Sequence, residues 1–470
     1  MNRRKFIRNS GLLGFGTALA TPVFGKTQHQ LLTSLEKNFQ KSAKNIIFLV
    51  SDGMSTGTLK MADILIQQRE GRKSYWMQAY ADNIVKRALM DTSSADSLVT
   101  DSAAAGSAWG GGSRVPNGKL NMDAEGNKFT PILQKFKMKH KSVGCVTTVP
   151  ITHATPASFC VTQPHRSMQD EIAVDYLDLR FDVMMGGGSK YFKKETRKDS
   201  KDLLKAFNDE GFHVAEDKSS LNAKKSDNQP VLGVFDKEGL PYSIDQMADS
   251  ALQKAIPTLA EMTKFAIERM KNNENGFVLQ VEGGKVDWAA HANDTAAILY
   301  DQVAFDDAVK VALDFAQQDQ NTLVIITTDH GNANPGLFYG KNVAECFQRV
   351  IDAKQSNEWI LKEVNRSSSI QQIVERVEHA SNCKLTDGEA LELMGFLKSV
   401  DPDQIYNPYR LPFADLARLQ QRYTQVGWAA SNHSADFVEL AMYGPGSESL
   451  VPFVNNYELH DFMLAVTGVK

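Results

Sequence analysis

Asn45-Ile46-Ile47-Phe48-Leu49-Val50-Ser51-Asp52-Gly53 sets an unbroken apolar run, Ile46 to Val50, one serine before an acid and a glycine. A run of strand length with no polar alternation reads as a strand buried on both faces, the kind found in the middle of a parallel sheet. β-Branched runs of the same kind recur at 142–149, 181–185, 277–281 and 322–328, with helical patterns between them. Together they predict an α/β fold: a doubly wound, largely parallel central sheet flanked by helices. The residues just beyond the runs are more telling. Asp52 comes after the first, His153 and Thr155 after the second, Glu282 after the fourth, and Asp329 with His330 after the fifth. Ligands of open α/β sheets collect outside the carboxyl ends of the strands, so these polar residues are expected on one rim.

Around this frame the chain varies. Leu259, Met262, Ala266, Ile267 and Met270 keep a helical period and predict a crossover helix over 258–271. From 338 to 422 helical patterns replace the strand-and-crossover rhythm, which reads as a mainly helical insertion, a cap or an interface. Ser369 precedes Ile370, Ile373, Val374 and Val377, and Thr386 with Glu389 has capping-box spacing ahead of Leu391, Met394 and Leu397. A Pro- and Tyr-rich loop is expected at 401–412. Residues 190–245 read as an exposed connection around a short strand at 231–235.

With 470 residues and 42% hydrophobic composition, the chain can bury either one large core with an elaboration or two to three smaller ones. Its 52 Lys and Arg against 56 Asp and Glu leave no basic field, so nucleic acid is not expected as a partner. Arg3-Arg4-Lys5-Phe6-Ile7-Arg8, the apolar run 11–20 and small residues after it look like a twin-arginine export signal over 1–25, implying a periplasmic or secreted protein. That apolar run is half of the roughly 20 residues that span a bilayer, so stable membrane insertion is not expected. Residues 26–43 are then a lead-in, with the catalytic domain at 44–337 and 423–470. The four cysteines lack CxxC spacing: Cys145 reads as core, while Cys346 and Cys383 could pair in an oxidising compartment.

Asp287 and His291 stand four apart at a helix start, so both side chains share one face and can chelate one ion, with His433 able to complete a three-ligand zinc site. Asp329 and His330 follow a buried strand, where Gly331 permits the sharp turn that lets both point together, and Asp52 offers a third ligand. Asp52, Thr155 and Glu282 form an oxygen-rich set suited to magnesium. Singly, each acid could be a helix cap and each histidine a turn residue. Jointly, capping does not call for His291, His330 and His433 together with four acids after separate strands. Ser102 follows Asp101 and opens an Ala-rich helix start, where backbone N–H groups favour an anionic oxygen. Metal coordination can activate such a serine without a histidine base. Arg166 can clamp two phosphate oxygens with its planar fork.

In order and spacing, Val50-Ser51-Asp52-Gly53-Met54, Thr100-Asp101-Ser102-Ala103-Ala104, His153-Ala154-Thr155-Pro156-Ala157, Glu282-Gly283-Gly284-Lys285-Val286-Asp287 through His291, Thr328-Asp329-His330-Gly331 and Asn432-His433-Ser434 resemble the alkaline phosphatases over about 44–335 and 423–470. The resemblance implies hydrolysis of phosphate monoesters, with Ser102 as the nucleophile of a phosphoserine intermediate and Arg166 as the phosphate clamp oriented by Asp101. It implies two zinc ions, one on Asp287, His291 and His433 and the other on Asp52, Asp329 and His330, with one magnesium on Asp52, Thr155 and Glu282. A homodimer is one expectation for the assembly, which the sequence itself does not specify. His153 and Trp288 stand where the enteric bacterial pattern has Asp and Lys. Trp288 therefore offers the substrate no cation, which predicts weaker retention of product phosphate, and His153 becomes a further candidate ligand, direct or through water. Phosphodiesterases and sulfatases of the same superfamily, or a non-catalytic periplasmic protein that binds zinc or phosphate, are the competing readings.

Overall fold

The structure, a computed structural model, describes residues 39, 41–223, 229–397 and 411–469. The expected export signal and most of the 401–412 loop lie outside the described residues. Ten strands make one sheet: β1 (Asn45–Val50), β2 (Lys86–Asp91), β3 (Ser142–Pro150), β4 (Val183–Gly187), β5 (His213–Ala215), β6 (Val231–Val234), β7 (Phe277–Glu282), β8 (Thr322–Thr327), β9 (Val438–Tyr443) and β10 (Phe453–Asn455). Their spatial order is β10-β2-β9-β8-β1-β7-β3-β4-β6-β5. β1 sits mid-sheet between β7 and β8, parallel to both, with Val50 opposite Glu282 and Thr327. Every residue of β1, β3, β7 and β8 is buried. Ile47 and Leu49 enter one apolar core, while Ile46, Phe48 and Val50 enter another on the opposite face. Helices cover both faces, so continuous apolar runs suit these strands better than alternation does.

The helices that matter for the site are α1 (Ser102–Gly111), α2 (Ala154–Cys160), α3 (Leu259–Met270), α4 (Lys285–His291) and α5 (Thr295–Asp319). α3 is the expected crossover, opened by a full capping box between Thr258 and Glu261. Three predicted details need correction. The 190–245 stretch is not merely an exposed connection: Phe192, Phe207 and Phe212 are buried in the core, and β5 extends the sheet beyond β6. Helix Asp387–Phe396 has its capping box, but Ala390 and Leu393 are buried and Leu391 points to solvent, a rotation that places the smaller Ala390 against the neighbouring helices. Cys346 and Cys383 are free thiols, with Cys383 buried and its Sγ directed at the Ser381 carbonyl.

Between Phe338 and Gln425 the described elements are all helices, and they carry a cluster of their own built on Ile360, Leu361, Ile373, Val377, Leu393, Leu416 and Leu419. Buried polar contacts tie this cluster to the sheet body. Asn357 N donates to Asp294 Oδ2 at 2.5 Å, and Ser356 Oγ donates to Asp245 Oδ2 at 2.6 Å. Among the described residues, no helix is long and apolar enough to cross a membrane.

Candidate active site

The carboxyl ends of β1, β3, β7 and β8 open on one rim, and their next residues converge there. Asp52, Glu282, Asp287 and Asp329 are all at most 4% exposed. Four carboxyl groups buried together must be either protonated or matched by positive charge. Gly53 shows how tightly the loop after β1 is wrapped: it has φ +66°, and a Cβ there would fall 2.6 Å from Asp287 Oδ1. Its N–H donates to Asp329 Oδ1 at 3.0 Å, which aims the other oxygen of Asp329 inward. Gly331 marks a close approach and not the expected turn: it pairs in a short antiparallel bridge with Ser434, and a Cβ would lie 2.6 Å from Ser434 Oγ and from Asp436 Oδ2, side-chain ends that would have to swing aside.

Three histidines supply the remaining donors. His291 Nδ1 lies 2.8 Å from Ser431 O, and His433 Nδ1 lies 2.9 Å from Thr100 O. A carbonyl only accepts, so both Nδ1 atoms carry protons, and each Nε2 offers a lone pair when its ring is neutral. Those two Nε2 atoms face each other at 3.1 Å, with Asp287 oxygens 3.5 and 3.6 Å away. Two lone pairs and a carboxylate so placed call for a cation where they meet. Burial lowers the His433 pKa, yet the Asp287 carboxylate outweighs it and raises the value, the same demand for positive charge in another form. His330 Nε2 lies 3.2 Å from Asp329 Oδ2 and 3.6 Å from Asp52 Oδ1, with its ring stacked on His433 at 3.7 Å between centroids.

Ser102 stands at the edge of this second group. It is the first residue of α1, whose N-cap Asp101 accepts from Ala104 N. Its Oγ is 3.3 Å from His330 Nε2, so an ion held by Asp52, Asp329 and His330 would meet the serine oxygen as well. On the third side, Thr155 Oγ1 donates to Asp52 Oδ2 at 3.4 Å, and Asp52, His153 and Glu282 bring ligand atoms within 4.8 Å of one another. The sets Asp287, His291, His433 and Asp52, Asp329, His330 meet the same distance limit. Asp52 Oδ1, Glu282 Oε1 and Asp329 Oδ2 are buried without a hydrogen-bond partner, as ligand oxygens left for metal would be. Burial raises Asp52 well above the carboxylate range, with Asp329, Asp287 and Glu282 adding repulsion. Burial likewise pushes Glu282 up to about 7 and Asp329 up to about 6.

Arg166 faces the serine side. Its Nη1 donates to Asp101 Oδ2 at 3.0 Å, and its Nη2 lies 3.1 Å from His153 Nε2. A guanidinium only donates, so His153 Nε2 must be an acceptor while this bond stands. Burial, followed by the Arg166 charge, lowers the His153 pKa to about 3, and the ring stays neutral. Trp288, on α4, meets His153 edge to face with ring centroids 6.1 Å apart. All thirteen residues predicted for the site thus gather on one rim.

A sequence profile described as "Alkaline phosphatase" matches residues 43–469. The chain belongs to the alkaline phosphatase family. Alkaline phosphatase 4 of Bacillus subtilis is 30% identical over 431 residues, covering 90% of this chain and 88% of its own length. The Escherichia coli enzyme is 30% identical over 371 residues, 68% of this chain and 78% of its own. Among solved structures, the Thermus thermophilus alkaline phosphatase superposes with a TM-score of 0.85 at 30% identity, covering 95% of each chain. The TAB5 alkaline phosphatase superposes at 0.65 and 25% identity, covering 92% of this chain and 99% of its own; it includes a mutant with a histidine replaced by glutamate and magnesium bound in its M3 site. This alkaline phosphatase is therefore a hydrolase of phosphate esters with side-chain clusters suited to metal ions.

Two supporting residues escaped sequence reading. Thr147 Oγ1 accepts from Val149 N at 3.1 Å, which leaves its own proton for Glu282 Oε2. Asn332 Nδ2 donates to Asp287 Oδ1 at 2.6 Å. Neither side chain carries charge or ligand spacing, so only the register of β3 on β7 and the bridge after β8 reveal them.

Proposed function

We propose that this alkaline phosphatase hydrolyses phosphate monoesters through a phosphoserine at Ser102. The observation that carries the reading is Ser102 Oγ set 3.3 Å from His330 Nε2, beside the Asp52, Asp329 and His330 cluster. Zinc suits the two histidine-bearing sets, Asp287, His291, His433 and Asp52, Asp329, His330. Magnesium suits the oxygens of Asp52, Thr155 and Glu282. Bound divalent ions would supply Lewis-acid stabilisation and lower the pKa of the serine hydroxyl and of water.

The chain's own groups then divide the work. Ser102 Oγ attacks phosphorus, the phosphorus–oxygen bond of the ester breaks, and the alcohol leaves from the opposite side. Water later attacks the phosphoserine, freeing Ser102 and inorganic phosphate. Arg166 holds two non-bridging oxygens with the N–H groups that Asp101 and His153 leave unused. Asp101 serves twice, fixing Arg166 and capping the helix that presents Ser102. With Nε2 committed to Arg166, His153 acts on the clamp as well as lining the third set. Trp288 walls the phosphate side without a cation, so product leaves more readily than from a lysine-bearing site.

The remaining layout is part of the same reading: an export signal over 1–25 for a periplasmic or secreted enzyme, a lead-in at 26–43, a catalytic domain at 44–337 and 423–470, a helical insertion at 338–422 that caps the site or joins subunits, and a homodimer. Rates on p-nitrophenyl phosphate, its diester and p-nitrophenyl sulfate, with metal analysis of the same sample, test the reaction class. The monoester should be much the fastest, with zinc and magnesium present. A faster diester or sulfate ester would reassign the enzyme within its superfamily.

A further inference from the structure

Beneath the site, Cys145 on β3 and Cys160 at the end of α2 bring their sulfurs to 3.5 Å, although they stand 15 residues apart in sequence. Both are fully buried in the core that also holds Phe159, Tyr176 and Phe181. The strand partner of Cys145 on β7 is Gln280, whose side chain points to the same face. Neither amide atom of Gln280 has a hydrogen-bond partner. We propose that Cys145 and Cys160 are an oxidisable pair that closes to an intramolecular disulfide under a peroxide oxidant.

A disulfide holds its sulfurs about 2.0 Å apart, so closure asks for an approach of about 1.5 Å. Burial raises the Cys145 thiol pKa, so the attacking thiol passes its proton to the departing hydroxide as it attacks a peroxide oxygen; the O–O bond breaks, and a sulfenic acid and water form. The second thiol displaces the hydroxyl from that sulfur: the S–O bond breaks, the S–S bond forms, and a second water leaves. Two thiols lose two electrons to one hydrogen peroxide. The bond would brace the end of α2 against β3 and enclose the segment carrying His153 and Thr155. It requires nothing of the phosphatase reaction, so either can fail alone.

The full chain, metals loaded, is treated with hydrogen peroxide at a dose that converts the exposed Met138 (66% exposed) to its sulfoxide, then denatured, alkylated and digested without reductant. The Cys145 and Cys160 peptides should be recovered as one linked species, about 2 Da below their summed thiol masses, which dithiothreitol separates. Cys346 should not join it. Cys160→Ser and Cys160→Ala should each abolish the linked species while circular dichroism reports an intact fold. Recovery of Cys145 and Cys160 as separately alkylated peptides at that dose, or either linked instead to Cys346 or Cys383, would overturn the proposal.

Discussion

Arg166→Ala isolates the phosphate clamp from the rest of the site. In the native chain one N–H of Nη1 is committed to Asp101 and one of Nη2 faces His153, leaving a second N–H on each terminal nitrogen for substrate. A hydrogen bond to a charged group contributes about 1.5–3 kcal/mol. The Arg166 side chain is 24% exposed, so solvent screening argues for the low end. Two such bonds amount to about 3–4 kcal/mol, or a loss of roughly 10² to 10³ in kcat/KM. Asp101 keeps its bonds from Ala104 N and Gly118 N, so α1 and Ser102 should stay in place. A guanidinium has no lone pair to give a metal, so metal content should not change. The assay is p-nitrophenyl phosphate turnover beside metal analysis, with Arg166→Lys recovering part of the loss through charge alone. A loss smaller than about tenfold, or metals departing together with activity, would refute the clamp assignment.

Asn332→Ala removes the donor that fixes Asp287, and metal affinity should fall about 10- to 100-fold in a metal-buffered titration, with the fold unchanged by circular dichroism. Thr147→Val strands one Glu282 oxygen and the Val149 N–H, so chelated protein should lose about 1–3 kcal/mol in urea unfolding. The pH dependence of loading follows from Glu282. Its metal-free pKa is raised to about 7 by burial, so below pH 7 an incoming ion must displace a proton. Affinity for the third set should then fall by at least about tenfold per pH unit below 7, with protons released on binding there and that release fading as pH rises above 7. A flat affinity between pH 5 and 7 would contradict this.

The central strands were legible because burial on both faces leaves continuous apolar runs, and Asp52, Glu282, Asp329 and His330 because each follows such a run. The elements that escaped are patterned differently. β2 begins Lys86-Arg87, and Lys86, Arg87 and Leu89 are exposed, so only alternate residues are buried and no continuous run marks it. It lies near the sheet edge between β10 and the antiparallel β9. β5 and β10 are three residues each and owe their existence to neighbours. In the site, sequence supplied the charged ligands but not the neutral groups that aim them, since a Thr or Asn that positions a carboxylate looks like any other. Predicting a turn at Gly331 was the right residue for the wrong reason: its neighbour in space, Ser434, lies 103 positions away in sequence and leaves no local trace.

The nucleophile is the claim on which the mechanism rests, and acid-quench labelling addresses it directly. Metal-loaded protein is incubated with radiolabelled phosphate or a labelled monoester, quenched in acid and digested. The account predicts label on the peptide containing Ser102, and in Ser102→Ala no label and no appreciable turnover despite full metal content. Undiminished turnover in Ser102→Ala, or label on a different residue, would contradict it.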